Sequence, residues 1–163
     1  MKTIHLIRHA ETNIKNYKST DYLRCLNDSG LLEANLIAKK LSELDCNPDY
    51  ILCSSAKRTT ETALIIAKKL KFDEKQIIFD QYLYNATVKQ LIEAINNIPN
   101  TFNNLALISH NPAISETSNY LTDDFIDHLP TCGVVKIELN VDNWKHIIQG
   151  IGNIEFFIYP KMF

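Results

Sequence analysis

Apolar positions along the chain switch between two spacings, and the switches mark out its elements. Residues 2–8 form a short apolar run that closes on Arg8-His9, which predicts a first strand. Asn27-Asp28-Ser29-Gly30 offers N-cap chemistry, and Leu31, Ala34, Ala38 and Leu41 then recur at helical spacing. Asn47-Pro48 breaks that helix, and Tyr50-Ile51-Leu52-Cys53 reads as a second buried strand. Ser54 or Ser55 is available to cap a helix carrying Ala56, Ala63, Leu64, Ala67 and Leu70 on one side. A third strand is expected at 76–79, a helix around 87–97 and a further strand at 105–109. Asn111-Pro112 supplies an N-cap and a proline for the first turn of the next helix. The tail, 133–159, reads as strand, turn at Asp142-Asn143, strand, and one more short strand.

Strands alternating with helices predict an α/β fold. The expected architecture has three layers: a mainly parallel, doubly wound sheet with an antiparallel edge, and helices on both faces. With no repeat, low-complexity tract or linker, all of residues 1–163 are assigned to a single domain. Ligands of such sheets bind beyond the carboxyl ends of the strands.

Composition narrows the partners. The chain is 45% hydrophobic and 22% charged, with a net charge of -2. No broad basic field marks nucleic acid or an anionic membrane as the partner. Because no apolar run reaches the ~20 residues of a membrane span and no signal peptide precedes the first motif, the cytoplasm is the expected location. Four cysteines, Cys25, Cys46, Cys53 and Cys132, lack CxxC spacing and read as free thiols. No clustered ligand set predicts a metal, and no cofactor is expected.

Three predicted strand ends carry coherent chemistry. The first ends in Arg8-His9, the second leads through Ser54 to Arg58, and the strand at 105–109 ends in His110. Neighbouring strands lie about 4.8 Å apart, so these groups can converge. Two guanidiniums and two imidazoles at helix N-termini suit a tetrahedral oxyanion. Only three of the 17 basic residues are arginine, and two of them, Arg8 and Arg58, fall at these ends. A neutral His9 can accept a phosphoryl group, with Arg8, Arg58 and His110 stabilising its charge. Ser54 and Ser55 remain open between capping and phosphate contact. His5, His128 and His146 read as structural.

The segment LIRHAET (6–12) is similar to the RHG/RHA signature of the histidine phosphatase superfamily. DYLRCLNDSG (21–30), ILCSSAKRTTETA (51–63), LISHNPAIS (107–115), LPTCGVVKIEL (129–139) and WKHIIQGIG (144–152) resemble its short SixA-type phosphohistidine phosphatase branch. The resemblance covers nearly the whole chain. It implies a phosphoglycerate mutase-like fold, His9 as phosphoacceptor, Arg8 and Arg58 as phosphate-binding arginines, and His110 as the second pocket histidine. Arg24 falls on the arginine of that branch's R-P-L-[ST] segment and is expected, with Ser54, to contact substrate. Cys25 replaces the usual proline there and Asn27 the usual Ser or Thr, while Ser55 stands where proline is common.

Larger members of the superfamily place a carboxylate after the third strand, yet 81–92 contain no acid. A missing general acid favours an easily expelled imidazole over a basic alkoxide. Asp80, Glu11 and His110 stay open as proton sources. The expectation is therefore a phosphatase of protein phosphohistidine, on an HPt-like domain. A broad small-molecule phosphomonoesterase is the alternative, and a non-catalytic phosphate-dependent binding module a further one.

Overall fold

The computed structural model describes residues 1–13 and 20–163. Six strands form one sheet: β1 (Lys2–Arg8), β2 (Tyr50–Ser54), β3 (Ile78–Asp80), β4 (Asn104–Ser109), β5 (Val134–Leu139) and β6 (Gly152–Ile158). Their order is β3-β2-β4-β1-β5-β6. The first four run parallel, β5 pairs antiparallel with β1, and β6 antiparallel with β5. This is the mainly parallel sheet with an antiparallel edge that the pattern predicts.

Four helices cover it: α1 (Asp28–Glu43), α2 (Lys57–Leu70), α3 (Val88–Asn96) and α4 (Ala113–Leu121). Alternation along the strands supplies both faces. Ile7, Cys53, Ala106 and Ile108 pack with Ala34, Ile37, Ile66 and Ala67 of α1 and α2. Ile4, Leu6, Leu105 and Leu107 pack with Leu91, Ile95, Ile114 and Leu121 of α3 and α4. Adjacent strands β1 and β4 therefore feed helices on opposite faces, α1 and α4. Their chains part at that point and open a crevice beyond the strand ends.

Several local expectations shift. Leu31 faces out, and α1 buries Gly30, Ala34, Ile37, Ala38 and Leu41 instead, one residue set around on the helix. The N-cap of α1 is Asn27, whose side chain accepts from the Gly30 amide. Neither Ser54 nor Ser55 caps α2; Ala56 holds that position without a side-chain hydrogen bond. Pro112, not Asn111, is the N-cap of α4, because the Asn111 side chain donates to the Leu129 carbonyl and accepts from the Ser115 hydroxyl. The third strand falls at 78–80 rather than 76–79. The tail holds two strands, and Trp144–His146 form a single-turn helix between them, with Trp144 fully buried. Among the described residues no helix is long and apolar enough to cross a membrane.

Candidate active site

Register brings the chemistry together. Arg8 pairs with Ser109 at the ends of β1 and β4, so the next residues, His9 and His110, sit side by side. Their ring centroids lie 5.4 Å apart. The His9 amide donates to the Ser109 carbonyl at 3.2 Å, and the Cys132 amide donates to the His9 carbonyl at 3.0 Å. His9 thus has its backbone held from both neighbouring strands' extensions.

The His9 ring is set by one bond. Its Nδ1 lies 2.8 Å from the Ala10 carbonyl oxygen, which can only accept, so Nδ1 carries the hydrogen. Nε2 is then left with its lone pair. Burial pushes the imidazole down to about 3, with His110, Arg58 and Arg8 adding repulsion against a proton. His110 is pushed to about 4, again by burial first and then by Arg58. Both rings are neutral at neutral pH.

Around them a cleft of about 260 Å³ is walled by Arg8, His9, Arg24, Arg58 and His110, with Glu11, Thr12, Asn111 and Thr131 completing it. Arg58 is 5% exposed although it carries a full charge. Seven buried side-chain polar atoms among the described residues have no hydrogen-bond partner, and four belong to this cleft: Nε of Arg8, Arg24 and Arg58, and Nδ1 of His110. Unpartnered buried polar atoms are costly, so their gathering beside one cleft marks it as a strained, polar site. Three guanidiniums with spare N–H groups call for an oxyanion.

Residues 4–86 match the family described as the histidine phosphatase superfamily (branch 1). The chain belongs to the histidine phosphatase superfamily. Its structure is similar to that of the SixA protein of Agrobacterium tumefaciens, with TM-score 0.82, 23% identity and 98% of each chain covered. It is equally similar to the protein histidine phosphatase SixA complexed with tungstate, with TM-score 0.83, 17% identity and 98% of each chain covered. These likenesses show a common SixA and phosphoglycerate mutase-like fold. In sequence, 80 residues are 36% identical to the mitochondrial serine/threonine-protein phosphatase Pgam5 of Drosophila mojavensis, covering 49% of this chain and 27% of that protein. The chain therefore spans about a quarter of that relative's length.

Within this superfamily member, the residues singled out from the sequence divide into two groups. Arg8, His9, Arg24, Arg58 and His110 line one cleft. Ser54 does not. It is fully buried behind the site, and its hydroxyl lies 2.7 Å from His110 Nε2. Its expected contact with substrate is replaced by a hold on His110, because β2 ends one strand away from the His9 side of the crevice. Ser54→Ala should keep the fold and lower kcat about tenfold, the worth of one buried hydrogen bond; steady-state kinetics beside a thermal melt would check this.

The three candidate proton sources also separate. Asp80 accepts from the Tyr82 amide at the start of the turn 81–83 and is no part of the cleft wall. Glu11 and His110 are in it. Glu11 is brought there by α1: its carbonyl accepts from the Asn27 amide, and its amide donates to Glu33. Gly30 makes this approach possible, since a Cβ there would collide with the Glu11 carbonyl oxygen.

Sequence reasoning missed Thr12, Asp21, Tyr84, Asn111 and Thr131. Thr12 accepts from Arg24 Nη1 at 2.7 Å, and Asp21 accepts from both Arg24 and Arg58. Tyr84 sits edge-on to His110 with centroids 5.8 Å apart. The one available signal was the D-x-x-R spacing of Asp21 and Arg24, which reads equally as a surface ion pair. Among the described residues no three His, Cys, Asp or Glu gather as a metal site needs.

Proposed function

We propose that this protein is a phosphatase that carries the phosphoryl group on His9, and that its substrate is a protein phosphohistidine on an HPt-like domain. The observation that carries this reading is the neutral His9, whose Nδ1–H is committed to Ala10 while Nε2 keeps its lone pair inside a wall of guanidiniums.

The Nε2 lone pair attacks phosphorus and forms an N–P bond as the bond to the leaving group breaks. The leaving nitrogen takes that electron pair: with a proton on its other ring nitrogen the group departs as neutral imidazole, and without one it takes a proton from solvent as it departs. Arg8, Arg24 and Arg58 hold the phosphoryl oxygens, with the His110 ring packed beside His9 in the same wall; the oxygens' charge changes little in total but spreads in the transition state. Water then attacks phosphorus, the N–P bond breaks, its pair returns to Nε2, and the water's protons stay on the released phosphate or pass to solvent. Inorganic phosphate leaves and His9 is neutral again. The guanidiniums supply the positive charge, so turnover should survive a chelator.

Two things support the substrate class. The acid after β3 is absent from the cleft, since Asp80 caps a turn instead. An imidazole leaving group tolerates that; an alkoxide does not. The likeness to a SixA protein complexed with tungstate, itself an oxyanion, supports the anion site. Glu11 in the cleft wall favours a second reading, a small-molecule phosphomonoesterase with Glu11 as proton donor.

Phosphate release from a phosphohistidine protein, compared with a panel of phosphate esters and with chelator present, separates the two. Selective release from phosphohistidine is the expected result. Faster release from esters would keep the nucleophile and replace the substrate.

A further inference from the structure

Arg24 and Arg58 share one carboxylate. Asp21 opens the single-turn helix Asp21–Leu23 and is not itself one of the cleft's lining residues. Its Oδ1 accepts from Arg24 Nη2 at 2.9 Å, and its Oδ2 from Arg58 Nη2 at 3.2 Å. The Asp21 backbone carbonyl accepts from Arg58 Nη1 at 2.8 Å. The Tyr84 hydroxyl donates to Oδ2 at 2.6 Å. Among the described residues Asp21 is the acid in ion-pair contact with either arginine.

We infer that Asp21 and Tyr84 are positioning residues, which aim the guanidiniums of Arg24 and Arg58 and the edge of His110 without touching the transferred group. This rests on the phosphatase reading above and adds to it the device that sets the arginines.

Three observations carry it. Asp21 takes Nη2 of Arg24 and both Nη nitrogens of Arg58, and the Thr12 hydroxyl takes Nη1 of Arg24. Asp21 therefore fixes the plane of both guanidiniums, while each Nη nitrogen, with two N–H groups, keeps one for the ligand. Second, the Arg58 side chain is 6% exposed and that of Arg24 21%, and the carboxylate they share offsets the repulsion between the two cations. Third, Tyr84 couples the frame to the histidines: its hydroxyl fixes Asp21, and its ring touches both Arg58 and His110. Tyr84 and the two arginines hold the Asp21 carboxyl below its usual range, so it is no proton donor.

Simple charge counting gives the opposite expectation, which makes the inference sharp. Removing a negative charge beside an anion site should tighten anion binding; removing a positioning residue should loosen it. The test is calorimetric binding of inorganic phosphate together with steady-state kinetics on a phosphohistidine protein, for Asp21→Asn, Asp21→Glu and Tyr84→Phe. Asp21→Asn should weaken phosphate binding about tenfold and lower kcat/KM by about 10², with the melting temperature within about 2 °C of wild type. Asp21→Glu should recover part of both losses. Tyr84→Phe, which keeps the ring, should shift both in the same direction by about threefold. Unchanged or tighter phosphate binding in Asp21→Asn and Tyr84→Phe would overturn the inference. A wild type that binds phosphate but turns over nothing would sink the phosphatase reading, while the binding series would still decide the role of Asp21.

Discussion

His9→Ala is expected to remove turnover by at least about 10⁴-fold, or roughly 5.5 kcal/mol of barrier. The loss is this large because no other group in the cleft wall offers a free, neutral lone pair at the same place. His110 keeps its Nε2 against Ser54, and its Nδ1 is buried. The arginines keep their charge in the variant, so phosphate binding should survive while chemistry stops. Wild type mixed with substrate and quenched in alkali should show a phosphoryl label on His9, since a phosphoramidate is lost in acid once its nitrogen is protonated. The variant should show none. Label on His110, or a tenth of the activity left in His9→Ala, would sink His9 as the acceptor.

A second large effect is expected in stability below neutral pH. His5, His9 and His110 are all buried, and their imidazoles are pushed to about 4, 3 and 4 respectively. Burial is the leading cause at each. An unfolded histidine titrates near ~6.5. A folded-state value below the unfolded one means that the unfolded chain binds protons first as pH falls. The stability is thus fully present above about pH 6.5 and is lost progressively as pH drops toward 4. At pH 5 each site should cost about 2 kcal/mol, and the three together roughly 6. That approaches the whole stability of an ordinary domain. Thermal melts between pH 8 and 4 should fall steeply below 6.5, and added phosphate should lift the curve by binding the folded state. A melting temperature flat to pH 4 would mean that the buried rings titrate in the folded protein as they do in the unfolded chain, so that burial does not hold His9 neutral below about pH 6.5.

The elements and the strand-end chemistry were legible because both are local. Alternating and helical spacings depend on which residues can share a face, and β1, α1, β2, β4 and the α/β class follow from them. The Arg8-His9 pair, Arg58 and His110 could be placed at or just beyond strand ends without knowing strand order, and the RHA signature tied Arg8-His9 to the superfamily. Capping was less legible. Ser54 and Asn111 have side chains suited to caps, but stronger partners across the fold take them, His110 for one and Leu129 and Ser115 for the other. A short polar side chain bonds whichever neighbour folding brings, and the sequence names only the near ones.

What the chain's own order of residues determined, then, is the set of strands and helices and the chemical types carried at their ends. Strand order, β3-β2-β4-β1-β5-β6, came only with the fold, since inserting β4 between β2 and β1 depends on pairing residues a hundred positions apart. That insertion makes His9 and His110 neighbours. The tertiary structure also decided that Ser54 stands behind the site, that Glu11 rather than Asp80 borders it, and that Asp21 and Tyr84 clamp the arginines. The contacts of Ser54 with His110 and of Asp21 with Arg58 and Tyr84 join side chains 37 to 63 residues apart, and a hydrogen bond of about 3 Å at such separation is settled by packing, which no spacing along a sequence encodes.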